Sequence, residues 1–217
     1  MISSKAICIG EALVDQIINN PDGNCKNYLG GAPANVACAL SRLGVNTAFV
    51  GCLGDDEFGN EFINLFRDLG VNIESTQVSK NVSTRIIKVC INNAGDRSFV
   101  GFVNSQKNFA DEMLDRKVFE SSKISLQKLF KETRYFITGT NLLASDKSSE
   151  ALLFLVEYAS KTGVSIVIDA NWREIFWDNL DKSSQIQRQD HIQKIKKFLL
   201  NGDILKLSNE EAILFFG

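Results

Sequence analysis

The chain has 217 residues, of which 44% are hydrophobic and 23% are charged, and its formal net charge at pH 7 is −2. These values are typical of a globular protein, and the scattered Lys and Arg residues argue against a nucleic-acid surface. No apolar run approaches the length of a membrane span, and no signal-peptide pattern is visible. The five cysteines form no Cys-x-x-Cys motif, which indicates reduced thiols. We therefore expect a cytoplasmic protein that binds neither nucleic acid nor membrane.

The first predicted element is a buried parallel strand over residues 5–10, where a short apolar run ends in glycine. Asp15 follows it by a few residues, on the side where open α/β sheets bind ligands. A carboxylate there can accept charge-assisted hydrogen bonds from ligand hydroxyls, each worth roughly 1.5–3 kcal/mol. The spacing is equally compatible with an Asp15 that only caps a turn.

A glycine pair, Gly30 and Gly31, precedes a predicted helix that ends at Gly44. Glycines permit a tight turn and a close approach of ligand to backbone, and Pro33 suits the first turn of a helix. Close packing alone would explain the small residues, but it would not explain an amide at the start of the helix. We therefore interpret Asn35 as a ligand-binding residue.

A strand is predicted over residues 47–53, followed by a helix that has acidic residues in its first turn and ends near Leu69. The first part of the chain therefore has the order β-α-β-α, which predicts a parallel sheet. Two β-rich runs, 84–91 and 97–103, then flank a glycine-containing turn and predict a hairpin. An inserted hairpin of this kind would serve as a lid or as a dimer contact through its exposed edge. Phe99 and Phe102 would then cover a ligand or pack between subunits, with ordinary core packing as the alternative.

After a stretch of loop and short helix at 104–124, the β/α alternation resumes, with the following predicted elements: strands 135–138, 164–168 and 203–207, and helices 146–161 and 187–200. His191, the single histidine, is interpreted as a surface helix residue. Ser208 and Glu211 have the spacing of a capping box that opens the final helix. No dinucleotide-binding glycine motif, P-loop or zinc-ligand cluster is present in the sequence.

A polar group also follows the strand at 164–168. Asp169, Asn171 and Arg173 lie just past its carboxyl end, where ligands bind in α/β sheets. An acid, an amide and a guanidinium in this position predict ligand contacts, although an ordinary surface loop would have the same composition.

Together these residues resemble the ribokinase-like (PfkB) sugar kinases, most closely the fructokinase branch. Segment 10–15, Gly-Glu-Ala-Leu-Val-Asp, resembles the first strand and substrate acid of that family, and segment 169–173 resembles the Asp-Pro-Asn-x-Arg of fructokinases with Ala170 replacing proline. The glycine-rich N-terminal signature of the family is matched without a spacing defect by Gly30, Gly31, Asn35, Ala37, Gly44 and Gly54. The resemblance runs from residue 5 to the last residue. It implies a doubly wound, mostly parallel α/β sheet flanked by helices, with the 84–103 hairpin as a small β lid.

The resemblance also implies roles for individual residues. Asp15 and Asn35, with the Gly30–Gly31 turn, would bind the hydroxyls of a sugar substrate, and Phe99 and Phe102 would close over it. Asp169, Asn171 and Arg173 would line the edge between sugar and phosphate.

The nucleotide side is implied less firmly by the same resemblance. Lys206, Ser208 and Glu211 fall in the family's Asn-x-x-Glu region, near the phosphates of ATP and the Mg²⁺ ion, with Ser208 at the Asn position. The resemblance implies an indirect metal role for Glu211, and the capping-box spacing of Ser208 and Glu211 offers a purely structural alternative.

The family's second signature, Asp-Thr-x-Gly-Ala-Gly-Asp, does not occur in these 217 residues. In the family it supplies a helix N-terminus for the transferring phosphoryl group and the catalytic Asp that takes the hydroxyl proton. The resemblance therefore implies that the catalytic Asp lies beyond Gly217, and that residues 1–217 form one incomplete ribokinase-like domain.

We therefore expect a carbohydrate kinase whose C-terminal part is missing and which is inactive in this form. A non-catalytic sugar-binding or regulatory module and a non-functional remnant are the alternatives.

Overall fold

The computed structural model describes residues 5–19, 24–91, 97–103, 108–177 and 185–217. Its strands are β1 (Ala6–Ile9), β2 (Leu13–Asn19), β3 (Asn24–Gly30), β4 (Thr47–Val50), β5 (Cys52–Gly54), β6 (Gln77–Ser79), β7 (Ile86–Ile91), β8 (Arg97–Phe102), β9 (Tyr135–Thr138), β10 (Ser165–Asp169) and β11 (Ile204–Lys206). Its α-helices are α1 (Ala32–Arg42), α2 (Glu57–Asp68), α3 (Arg116–Ser121), α4 (Lys123–Phe130), α5 (Asp146–Lys161), α6 (Gln185–Leu199) and α7 (Asn209–Phe216). Short 3₁₀ helices cover Ala110–Met113, Asn141–Ala144 and Glu174–Phe176.

The main sheet has five parallel strands in the order β11-β10-β9-β1-β4. Successive side chains of β1 point to opposite faces of the main sheet, and both faces are buried. Cys8 joins a cluster that contains Phe62 and Phe66 of α2 and the small residues of α1. Ile7 and Ile9 join a second cluster with the apolar side chains of α5 and α6. Helices therefore cover both faces, and the predicted doubly wound parallel sheet is confirmed.

A second sheet has four strands in the order β3-β2-β7-β8, and we call it the small sheet. The sequence predicted its β7–β8 hairpin, whose turn residues 92–96 lie outside the described residues. It did not predict β2 or β3, and Asp15 lies within a strand rather than in a loop or turn after β1. The register pairs Val14 with Ile86, so β2 depends on a partner far away in the sequence, which a local pattern does not reveal.

A bulge in β8 determines which aromatic side chains share a face of the small sheet. Ile87 pairs with Phe102 and Val89 pairs with Phe99, with the register shift between Lys88 and Val89. Because residues two apart on β7 face the same side, Phe99 and Phe102 also face the same side. In a regular strand, two residues three positions apart would face opposite sides.

The single strand predicted over 47–53 is wrong, because the chain changes sheets at Gly51. β4 belongs to the main sheet, whereas β5 pairs with β6 in a separate two-stranded sheet. A Cβ at Gly51 would lie 2.5 Å from the carbonyl oxygen of Gly10, so only glycine fits this crossing point.

The other predicted elements are found close to their expected bounds. The region predicted as loop and short helix contains the 3₁₀ helix Ala110–Met113, α3 and the start of α4, while residues 104–107 lie outside the described part. His191 lies on α6 as predicted, with its ring centre 5.0 Å from that of Trp177. In the ranges that the structure describes, no helix combines the length and the apolar character needed to cross a bilayer.

Candidate functional site

The candidate site residues follow the carboxyl ends of parallel strands. Glu11 follows β1, Asn141 follows β9, Asn171 follows β10 and Ser208 follows β11. Because these four strands are parallel, their carboxyl ends meet at one edge of the main sheet. This is the edge at which open α/β sheets bind ligands.

The Gly30–Gly31 turn lies between two acidic residues. A Cβ on Gly30 would lie 2.7 Å from Oδ2 of Asp15, and a Cβ on Gly31 would lie 2.4 Å from the carbonyl oxygen of Glu11. Gly31 also has a φ of 101°, a conformation that favours glycine. Both glycines are therefore required by their surroundings, and the Asp15 carboxylate lies directly against the turn.

Helix α1 begins at this turn and presents Asn35. The amide N–H of Asn35 donates to the carbonyl oxygen of Gly31 at 2.9 Å, and its side chain is exposed. Pro33 is buried in the first turn, where a Cβ on Gly10 would lie 2.3 Å from its Cγ. The end of β1 and the start of α1 are thus in close contact, and the Asn35 side chain, with both donors and an acceptor, is open to a ligand.

Glu11 is the buried acid of this edge, with 2% of its surface exposed. Its Oε1 accepts hydrogen bonds from the amide N–H of Ala32 at 3.2 Å and from Nδ2 of Asn141 at 3.1 Å. Burial raises the pKa of Glu11 to about 7, although these hydrogen bonds oppose the shift. Among the described residues Oδ1 of Asn141 accepts no hydrogen bond. The hydrogen bond from Nδ2 to Glu11 therefore orients the Asn141 side chain.

Phe99 and Phe102 face the same side of the small sheet but differ in packing. Phe99 is 45% exposed, and the guanidinium of Arg173 lies 5.5 Å from the centre of its ring. Phe102 instead packs against Phe109 and Phe176. The small sheet therefore contacts the segment that follows β10, and Phe99 is the more exposed of the two aromatic side chains.

A buried arginine joins the small sheet to the rest of the protein. Nε of Arg85 donates to both carboxylate oxygens of Asp111, at 3.1 and 3.0 Å, and Nη2 donates to Oε1 of Glu112 at 2.6 Å. The guanidinium also lies 4.3 to 5.1 Å from the ring centres of Phe102, Phe109 and Phe176. This arrangement satisfies a charge that would otherwise be costly to bury.

The carboxyl ends of β10 and β11 contact each other. Asp169, predicted to follow its strand, is the last residue of β10, and Lys206 is the last residue of β11. Nζ of Lys206 lies 2.7 Å from Oδ2 of Asp169. Asn171 has a φ of 36°, an uncommon value for a residue other than glycine. The predicted capping box is confirmed, because the Ser208 hydroxyl accepts from the Glu211 amide and Oε2 of Glu211 accepts from the Ser208 amide.

Glu211 also holds the segment that follows β10. Its Oε1 accepts from the amide N–H of Trp172 at 2.7 Å, so each carboxylate oxygen already has a backbone partner. Within the described ranges, no three His, Cys, Asp or Glu side chains are grouped so that they could hold a metal ion. Mg²⁺ is usually bound through one or two carboxylates together with substrate phosphates and waters, and an indirect metal role for Glu211 stays a prediction.

The last residue, Gly217, has a structural place at the end of α7. It is the C-cap of that helix, with a φ of 93°, and its amide N–H donates to the carbonyl oxygen of Ile213 at 3.0 Å. A positive φ at a helix end is a conformation that glycine adopts easily. A catalytic Asp beyond Gly217 stays a prediction.

Sequence reasoning missed the roles of Glu11, Asn141 and Arg85. Asn141 directly follows a predicted strand, so its position at the sheet edge was a usable signal. Arg85 gave no such signal, because its carboxylate partners lie 26 and 27 residues away.

The parallel sheet, the glycine turn between acids and the small sheet beside it define the ribokinase-like class of α/β proteins. The chain belongs to the pfkB family of carbohydrate kinases, whose family model matches residues 3–216. It is 34% identical over 183 residues to probable fructokinase-5 of Arabidopsis thaliana, in an alignment that covers 84% of this chain and 51% of the relative. It is 30% identical over 217 residues to probable fructokinase-6, chloroplastic, of the same plant, in an alignment that covers 97% of this chain and 52% of the relative.

The structure is similar to that of a fructokinase with bound ATP from Xylella fastidiosa. The TM-score is 0.81 at 28% sequence identity, and the match covers 98% of this chain and 60% of that one. The chain spans about half the length of the curated relatives it matches. The resemblance based on the glycine-rich signature is confirmed at the level of family and fold.

Proposed function

We propose that this chain forms the sugar-binding part of a fructokinase-like enzyme that transfers the γ-phosphate of ATP to a sugar hydroxyl. The observation that carries the proposal is the Gly30–Gly31 turn, with the Asp15 carboxylate against it and the Asn35 side chain exposed beside it. Asp15 would accept hydrogen bonds from sugar hydroxyls, and Asn35 can both donate and accept. Phe99, beside Arg173, would cover an apolar face of the sugar.

The phosphate side of the site would use residues at the carboxyl ends of β10 and β11 and just after them. Lys206 and Arg173 are exposed cations there, and the segment after β10 is held by Glu211. We propose that Asn171 and Asp169 line the boundary between sugar and phosphate. ATP and Mg²⁺ would take part in the complete reaction.

We further propose that this chain binds sugar without turning over ATP. Phosphoryl transfer relies on positioning and on stabilising the charge of the transferring group, and in this family the Asp-Thr-x-Gly-Ala-Gly-Asp signature supplies both. That signature is not among the 217 residues, so the catalytic Asp would have to follow Gly217. ATP-dependent phosphorylation of fructose by the purified chain would contradict the proposal.

We propose a cytoplasmic protein that dimerises through the small sheet, because β3 and β8 are its outer strands and edge strands pair readily. Sedimentation as a monomer across the micromolar range would contradict the dimer.

The central test is fructose binding measured by calorimetry on the wild-type chain and on Asp15→Ala. Loss of one charge-assisted hydrogen bond should weaken binding by roughly 10- to 150-fold. Gln16→Ala is the matched control, because Gln16 is the next residue on β2 and bonds Asn27 at an exposed position. If Asp15→Ala binds as tightly as Gln16→Ala, the sugar-binding role of Asp15 is wrong.

A further inference from the structure

The structure brings three separate parts of the chain together at one buried carboxyl group. Glu11 follows β1, Ala32 is the first residue of α1 and Asn141 opens the 3₁₀ helix after β9. Both the Ala32 amide and the Asn141 side chain donate to the same oxygen, Oε1 of Glu11. A single carboxyl oxygen therefore determines how the start of α1 is placed against the segment after β9.

The same group controls the turn that would bind substrate. Gly31 is the N-cap of α1 and has no side-chain capping bond, so its turn lacks the usual support at a helix start. The Glu11 carboxyl supplies that support through the next residue, Ala32, and the Glu11 carbonyl oxygen occupies the space that a side chain at Gly31 would need. Gly30, on the other side of the turn, lies against Asp15.

We infer that Glu11 is a positioning residue of the sugar site, whose buried carboxyl holds the Gly30–Gly31 turn at the correct place relative to Asp15. The inference rests on the proposed sugar-binding function. Glu11 does not contact the sugar in this arrangement, since it is enclosed beneath the turn. It acts through the backbone that the sugar would contact.

The surroundings of Glu11 explain why an acid is suitable there. Asp111 is the charged group that acts on it, and this carboxylate is itself neutralised by Arg85. The amide of Asn141 and the backbone N–H of Ala32 are both donors, so Glu11 faces groups that require an acceptor. Burial raises its pKa, so near neutral pH it exists in both protonation states, and Oε1 can accept in either.

These contacts determine which variants are informative. Glu11→Gln preserves an Oε1 acceptor at the same distance and should retain the turn. Glu11→Leu removes the acceptor while filling the space, and Glu11→Asp keeps the charge but is one methylene too short to reach both donors. Glu61→Leu is the matched control, because Glu61 is exposed on α2.

Fructose affinity is measured by calorimetry at pH 8, and hydrogen exchange of the Ala32 amide is measured by NMR without ligand. We expect Glu11→Leu and Glu11→Asp to lose about tenfold or more in affinity, the effect of losing one or two hydrogen bonds, and Glu11→Gln to remain within about threefold. The Ala32 amide should exchange faster in the Leu and Asp variants. The Gly59 amide should not change, because a different carboxylate, Asp56, caps it in α2.

The outcomes separate the two proposals. Failure of the wild-type chain to bind sugar contradicts the proposed function, and the Ala32 exchange data then decide the role of Glu11 alone. Unchanged Ala32 exchange in both the Leu and Asp variants overturns the inference, as does an affinity in them equal to that of Glu61→Leu. If the Leu variant does not fold, the Asp variant supplies both measurements.

Discussion

The two ends of the ligand edge are built differently. At the β1 end, the turn before α1, the Glu11 carboxyl and Asn141 are joined by buried contacts between distant parts of the chain. At the β11 end, the Lys206–Asp169 ion pair and the Ser208 capping box lie largely at the surface, and all three residues of β11 are exposed. Buried hydrogen bonds hold a geometry firmly, whereas exposed ion pairs contribute little.

This difference indicates that the proposed sugar side is preorganised within this chain, and that the proposed phosphate side depends on local, solvated contacts. Substitutions at the first end should therefore have larger effects than substitutions at the second.

Arg85→Met should destabilise the protein by about 3–5 kcal/mol, because it leaves the carboxylates of Asp111 and Glu112 without their cation. Urea denaturation gives the free energy of unfolding. Lys128→Met is the control, since its ion pair with Glu74 is exposed and should contribute less than about 1 kcal/mol. Equal losses in the two variants would remove the distinction between buried and exposed pairs.

The stability of the wild-type protein should fall as pH rises from about 5 to 8. The pKa of Glu11 is raised to about 7 in the folded state, so the folded protein holds a proton that the unfolded chain releases near its ordinary value of 4.5. The loss attributable to this group is roughly 2–3 kcal/mol over that range, and it is complete once the pH exceeds the folded pKa.

Glu11→Gln should lack this part of the pH dependence, because the variant cannot ionise at that position. The measurement is the free energy of unfolding of both proteins at about pH 5 and about pH 8, the two sides of the folded pKa. Parallel pH dependence in the wild type and in Glu11→Gln would show that Glu11 does not titrate in this range.

Ser208→Ala should cost about 1 kcal/mol, the usual effect of removing a helix N-cap. Ser160→Ala, at an exposed position on α5, is the control and should have a smaller effect or none. A loss at Ser208 as large as that at Arg85 would mean that an exposed helix cap at the β11 end contributes as much to stability as the buried Arg85 ion pairs.

Sequence reasoning reached the main sheet because its strands are local apolar runs that end in glycine or in polar residues, as at Gly10 and Asp169. It also reached the capping box, since Ser208 and Glu211 are only three residues apart. It did not find β2, which pairs with the distant strand β7, or the change of sheet at Gly51, where the chain crosses Gly10. It also missed β3, although β3 pairs with β2 just before it in the chain.

In the candidate site, too, some residues could be predicted from a local motif and others could not. The positions of Gly30, Gly31 and Asn35 could be predicted from one continuous motif, and the structure places Asp15 beside them. The supporting contact of Glu11 with Asn141, 130 residues away, could not. Local patterns thus identify residues that are open to a ligand, whereas the residues that hold them in place become visible only once the chain is folded.

The bulge in β8 has a consequence for how this protein tolerates changes in chain length. In a regular strand, loss of one residue moves every later side chain to the opposite face. Val100 is the extra residue of the bulge, unmatched between the Val89–Phe99 and Lys88–Gly101 pairs. Deleting Val100 would convert the bulge into a regular ladder with Phe99 and Phe102 still on one face. β8 can therefore accept a one-residue deletion at this position, whereas the same deletion in a regular strand would move its later side chains to the opposite face.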